Sequence, residues 1–102
     1  MIVHISLAKY KDQAGGRSKQ ENIELGRRLT TSLKERVPSL KRLVFGVDML
    51  HGPRDYDVAS YSEYEDMEAV KATVSHPAHD ELAAFLKEVT EVSHTITYEV
   101  PD

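Results

Sequence analysis

The sequence predicts one α+β domain, a four-stranded antiparallel sheet with its helices on one face, in the order strand, helix, strand, strand, helix, strand. Three observations point there. The chain opens on a period-two alternation. Two stretches with apolar residues at helical spacing, 18–37 and 66–89, each begin at a capping side chain. Between them lie two extended runs separated by a turn rich in breakers.

Residues 2–10 put Val3, Ile5 and Leu7 on one side and His4, Ser6, Ala8 and Tyr10 on the other, as a strand does. Gly15-Gly16 breaks the chain, and Ser18 with Glu21 three residues on forms a capping box. Leu25, Leu29, Leu33 and Val37 then make an apolar stripe beside Arg27, Arg28, Lys34 and Glu35, the pattern of a surface helix on a sheet. Pro38 ends that helix, because its ring cannot continue the ladder and the residue before it is pushed out of the helical region.

Residues 41–50 read as a second strand, 51–55 as a turn, and 56–64 as a third strand closing a hairpin. Asp66 caps a helical stretch carrying Met67, Val70 and Val74, which His76-Pro77 interrupts. Pro77 suits the first turn of a fresh helix whose stripe is Leu82, Phe85, Leu86 and Val89. Residues 92–100 form the fourth strand, stopped by Pro101. This is the split βαβ, ferredoxin-like arrangement, and with no repeat or linker one domain spans 1–102. Both sheet faces carry apolar residues while the helices cover one, so a homodimer joined sheet to sheet is expected.

Composition narrows the functional classes. Hydrophobic residues at 40% and charged residues at 29% describe a folding chain rather than a disordered one. With 13 basic against 17 acidic residues the net charge is -4, which argues against nucleic acid and anionic membrane as partners. The absence of cysteine excludes disulfides, thiolate metal sites and a cysteine nucleophile. The N-terminus lacks the basic stretch and apolar run of an export signal, and no segment reaches membrane-spanning length, so a cytoplasmic protein is expected.

Within that frame, four local sequences carry a resemblance. They are Val3-His4-Ile5 followed by Lys9-Tyr10-Lys11-Asp12; Phe45-Gly46-Val47-Asp48; the run from Tyr61-Ser62-Glu63-Tyr64-Glu65-Asp66 to His76-Pro77-Ala78-His79; and Tyr98-Glu99-Val100. Together they resemble the stress-responsive α/β-barrel, or Dabb, family. The resemblance implies a dimeric α+β barrel, with a small-molecule cavity in each subunit lined by His4 and by His79, the second histidine of His-Pro-x-His. Most members have no assigned reaction, and the best understood chemistry is cyclisation of linear polyketides. The fold by itself selects no chemistry.

His4 and His79 are the candidate catalytic pair, since one neutral imidazole can take a proton next to a carbonyl while another donates to the developing enolate oxygen. Ligand contacts are expected at Ser6, Ala8 and Ser60, small residues that with Ser62 share the His4 face if the register allows, and at Thr73 and Thr97. Thr73 and Thr97 stand where many members of the family carry a tyrosine and an aspartate. A threonine hydroxyl is far less acidic than a phenol and cannot hold an imidazolium by charge, which counts against polyketide cyclisation of the familiar kind. Tyr61 and Tyr98 are assigned to the dimer interface.

His76 and His79 lie three apart, but Pro77 breaks the register between them and no carboxylate pattern completes a set, so no metal is expected. His76 is expected instead to close the preceding helix with a donor or cationic ring over its last carbonyls. The leading expectation is therefore a homodimeric small-molecule-binding barrel that uses no cofactor. The alternatives are a cofactor-independent cyclase or isomerase acting on a polyketide-like carbonyl compound, and a non-catalytic structural stress protein.

Overall fold

The structure is a computed structural model and describes residues 1–101. Its elements are β1 (Ile2–Tyr10), β2 (Gln13–Ala14), β3 (Arg17–Ser18), α1 (Lys19–Arg36), β4 (Arg42–Val47), β5 (Val58–Tyr64), α2 (Met67–Val74), α3 (Pro77–Val89) and β6 (Thr90–Glu99). The main sheet runs β4-β5-β1-β6 and every neighbouring pair is antiparallel, which is the ferredoxin-like order.

The predicted caps form. The Ser18 hydroxyl accepts from the Glu21 amide, and the Glu21 carboxylate accepts from the Ser18 amide, so two amides left over at the start of α1 are satisfied together. Asp66 does the same for Ala69 at the start of α2. His76 acts differently from the sequence expectation. Its backbone N–H closes α2 by donating to the Thr73 carbonyl, but its ring turns the other way, and Nδ1 accepts from the Ala78 amide at the start of α3. Pro77 in the first turn leaves one fewer amide to satisfy there, and the imidazole takes the next.

Other departures have local causes. Gly15 and Gly16 both take positive φ, as the two central residues of a type I′ turn must, and close a small hairpin between β2 and β3. Strands of two residues are too short to show an alternation. β4 ends at Val47 because the Asp48 carboxylate bends the chain by accepting from the His51 amide, and β5 begins only at Val58 because Asp57 turns its carboxylate to the Tyr10 amide. β6 starts at Thr90, directly off α3, with the Thr90 hydroxyl donating to the Leu86 carbonyl.

The helices cover one sheet face. Ile2 and Tyr64 pack there with Leu33, Val37, Leu40 and Leu82, and a second cluster joins Ala8, Tyr10, Ile23, Val58 and Val89. The opposite face carries Val3, Ile5 and Leu7 of β1 in rows with Tyr98, Ile96 and His94 of β6. Tyr61 and Val44 extend the middle row, and much of this apolar surface lies open in the single chain. Among the described residues no helix is long and apolar enough to cross a membrane.

Candidate functional site

The β1 alternation sends His4, Ser6 and Ala8 beneath the helices, and the register decides their neighbours. His4 lies between Ser62 of β5 and Thr97 of β6, Ser6 between Ser60 and Thr95, and Ala8 between Val58 and Ser93. Above this floor the helices supply an aliphatic roof, with Leu33 from α1, Val70 and Val74 from α2, and Leu82 and Leu86 from α3. Between them lies a cavity of about 210 Å³. That is below the roughly 300–1,000 Å³ usual for drug-sized ligands, so it suits a smaller molecule.

His79 reaches the same cavity from the first turn of α3, where the His76 cap and Pro77 redirect the chain after α2. The sequence-predicted pair therefore shares one chamber. Nδ1 of His4 lies 2.7 Å from the Thr97 hydroxyl, which leaves Nε2 as the ring nitrogen without a partner among the described residues. Burial first, and the charge of nearby His79 second, lower the His4 pKa below the ordinary histidine value of 6.5. The ring is thus neutral at pH 7.

A lowered histidine pKa makes a signed prediction. The unfolded chain binds a proton at pH values where folded His4 does not, so this contribution to stability is complete above about pH 6.5 and is lost as pH falls below it. Denaturant titrations from pH 7.5 down to 5.5 should show stability falling, and His4→Asn should make the fall shallower. An unchanged slope in His4→Asn would remove His4 as its source.

The remaining sequence candidates divide. Ser6, Ala8 and Ser60 line the cavity, whereas Thr97 stands behind His4 as its bonding partner. Thr73 is fully buried outside the lining, donating to the Ala69 carbonyl and bonded to the Ser39 hydroxyl at 2.8 Å. Tyr61 and Tyr98 lie on the open face, with the Tyr61 hydroxyl donating to Glu63.

Sequence reasoning missed Thr30, Ser93, Thr95 and Tyr10, all in the lining. Ser93 and Thr95 were legible, because with Thr97 they form a period-two series of hydroxyls on one strand. Thr30 was hidden by the leucine stripe. The buried line on α1 is Asn22, Ile23, Gly26, Thr30 and Leu33, whereas Leu25 and Leu29 sit at its margin. Among the described residues no three histidine or carboxylate side chains gather to hold a metal.

A family model described as the Stress responsive A/B Barrel Domain matches residues 2–100. No curated protein matches the chain. Among solved structures, a dimeric protein of unknown function and ferredoxin-like fold from Bacteroides fragilis is 24% identical, covers 97% of this chain and 95% of its own, and has a TM-score of 0.84. A hypothetical Arabidopsis thaliana protein is 28% identical, with coverage of 99% and 88% and a TM-score of 0.77. The hydroxynitrile lyase of Passiflora edulis is 20% identical, with coverage of 99% and 94% and a TM-score of 0.83.

Proposed function

The chain belongs to the stress responsive A/B barrel domain family, and from that premise we propose that it is a homodimer, joined through its open sheet faces, that binds a small carbonyl compound between His4 and His79. The observation that carries this reading is the shared chamber. Two imidazoles, one kept neutral by burial, face a space of about 210 Å³ under an aliphatic roof. A sheet–helix core filled by side chains, as a purely structural role requires, has less support beside such a space. The dimeric description of the Bacteroides fragilis protein supports the association.

Acid–base catalysis is the second reading, favoured by the same pair. His79 is the base that takes a proton from the carbon beside the carbonyl. The electron pair left behind moves onto the carbonyl oxygen, which His4 stabilises through an Nε2–H bond in the tautomer in which the Thr97 hydroxyl donates to Nδ1. Ring closure or isomerisation follows from such an enolate without a cofactor. The lyase of the same fold supports chemistry in this architecture, although its name does not choose the reaction here.

Calorimetric titration with benzaldehyde and acetophenone tests the binding reading. His4→Ala and His79→Ala should each weaken binding by about tenfold, the worth of one hydrogen bond. Unchanged affinity in both variants would overturn the site. Exchange of the acetophenone methyl protons in deuterated water, followed by proton resonance, tests the catalytic reading. Exchange catalysed by the wild type and lost in His79→Ala supports it, and binding without exchange leaves a binder only.

A further inference from the structure

The chamber is open along one side. Across its floor, Val58, Ala8 and Ser93 are register partners on β5, β1 and β6, and Ser60, Ser6 and Thr95 form the next row. In both rows the β5 and β1 residues are buried or half-buried, and the β6 residue is exposed. The helical cover therefore stops between β1 and β6. Of the chamber lining, the residues exposed at the surface are Val74, Ala83, Ser93 and Thr95. All four border one slot, between the helices on one side and β6 on the other.

The chain path explains the slot. α3 passes into β6 at Thr90 with no loop between them, and the Thr90 hydroxyl ties that corner to the Leu86 carbonyl. Beyond the corner, helix and strand part. A helix rises about 1.5 Å per residue and a strand about 3.3 Å, so Ala83, seven positions before Thr90, stands about 10 Å from the corner at the height of Ser93. The histidines lie toward the wide end, His79 in the first turn of α3 and His4 bonded to Thr97 far along β6. A second observation is independent of exposure. β6 turns Val92, Ile96 and Tyr98 to the open sheet face but Ser93, Thr95 and Thr97 to the slot, hydroxyls that stand in water without a desolvation cost.

On the reading of the chamber as a ligand site, we propose that small molecules reach His4 and His79 through the slot between α3 and β6, where Ala83 on the helix lip filters them by size. Its neighbour Leu82 points into the chamber and is only 9% exposed, so Ala83 is the α3 residue that fronts the opening. A single methyl group there leaves the lip almost bare, and the slot stays open without any element moving. The pairing of chains proposed above uses the opposite sheet face and leaves the slot free. A bulky side chain in place of Ala83 closes it from the helix side.

The chain has no cysteine, so Ser6→Cys puts a single thiol on the chamber floor. Its reaction with methyl methanethiosulfonate forms a mixed disulfide with loss of methanesulfinate, and mass spectrometry follows the rate. In that background Ala83→Trp should slow labelling by about tenfold or more, because the reagent must displace packed side chains to pass. Ala84→Trp, the same bulk at the next exposed position and outside the lining, should leave the rate unchanged. The thiol is the same in all three proteins, so the ratio of rates reads access alone. Ala83→Leu should slow the larger benzyl methanethiosulfonate more than the methyl reagent. Labelling as fast with Ala83→Trp as without it, slowed as much by Ala84→Trp, or seen only on unfolding, overturns the entrance. The benzaldehyde titration judges the chamber separately. Binding with labelling indifferent to the slot removes the entrance alone, and slot-dependent labelling without binding keeps the entrance and removes the ligand reading.

Discussion

In the homodimer proposed above, Ile96→Asp should separate the two chains into monomers. Ile96 is 57% exposed in the single chain and lies in the middle row of the open face, beside Ile5 and in line with Tyr61 and Val44. An exposed side chain contributes little to the fold of its own subunit, so the substitution spares the protomer. In a twofold dimer every interface position occurs twice, and two carboxylates would be taken out of water into facing apolar rows. The penalty after relaxation is several kcal/mol per ion, so about 4 kcal/mol for the pair is a conservative figure, a thousandfold in the dissociation constant. Sedimentation equilibrium at micromolar concentration reads the mass directly. Met67→Asp, at an exposed position that opens α2, should keep the dimer mass and serves as the control. A dimer that persists in Ile96→Asp would move the interface off this face, and with it the places proposed for Tyr61 and Tyr98.

The fold was legible because its signals are local and repeated. The β1 alternation, the Ser18–Glu21 box, the Asp66 cap and the His76-Pro77 break each identify an element by a mechanism that needs no tertiary context. The site was legible only in part. A strand's alternation assigns His4, Ser6 and Ala8 to one face, but which β6 residues stand beside them depends on a register that sequence does not print, and the irregularity between Lys9 and Tyr10 shifts it. The α1 stripe misled for a related reason. Its leucines are conspicuous, yet the line that meets the sheet passes through Gly26 and Thr30, a bare backbone and a small polar residue that carry no hydrophobic signal. His76 was misjudged in role because a histidine between two helices is equally able to donate to the first or accept from the second, and only the backbone direction after Pro77 decides.

That small residue on α1 makes the other large prediction, one whose sign a helix-propensity argument gets wrong. Gly26 lies inside α1, where alanine is ordinarily better by about 1 kcal/mol, so Gly26→Ala would be expected to stabilise. Here a Cβ would run into the Tyr10 hydroxyl and sit 3.4 Å from a ring carbon of Phe85. Tyr10 has little room to retreat, because its amide donates to the Asp57 carboxylate at 2.8 Å and its ring is enclosed between β1 and the helices. Overpacking of a closed core costs typically about 1–3 kcal/mol, so Gly26→Ala should destabilise by about 1–2 kcal/mol net. The same hydroxyl has no bonding partner among the described residues, and burial followed by the Asp57 charge pushes its pKa up to about 12, so it remains a protonated, unsatisfied donor throughout the neutral range. Tyr10→Phe removes both the orphan donor and the obstacle, and should stabilise the ligand-free protein by about 1 kcal/mol. In that background the next ring atom lies 3.5 Å from the new methyl, an ordinary contact, so adding Gly26→Ala should now stabilise by several tenths of a kcal/mol. Denaturant unfolding of the four proteins reads this reversal as a coupling energy. If Gly26→Ala proved stabilising with Tyr10 in place, or equally harmful with and without the hydroxyl, close packing of Tyr10 on the glycine would not explain why α1 tolerates a glycine at its centre.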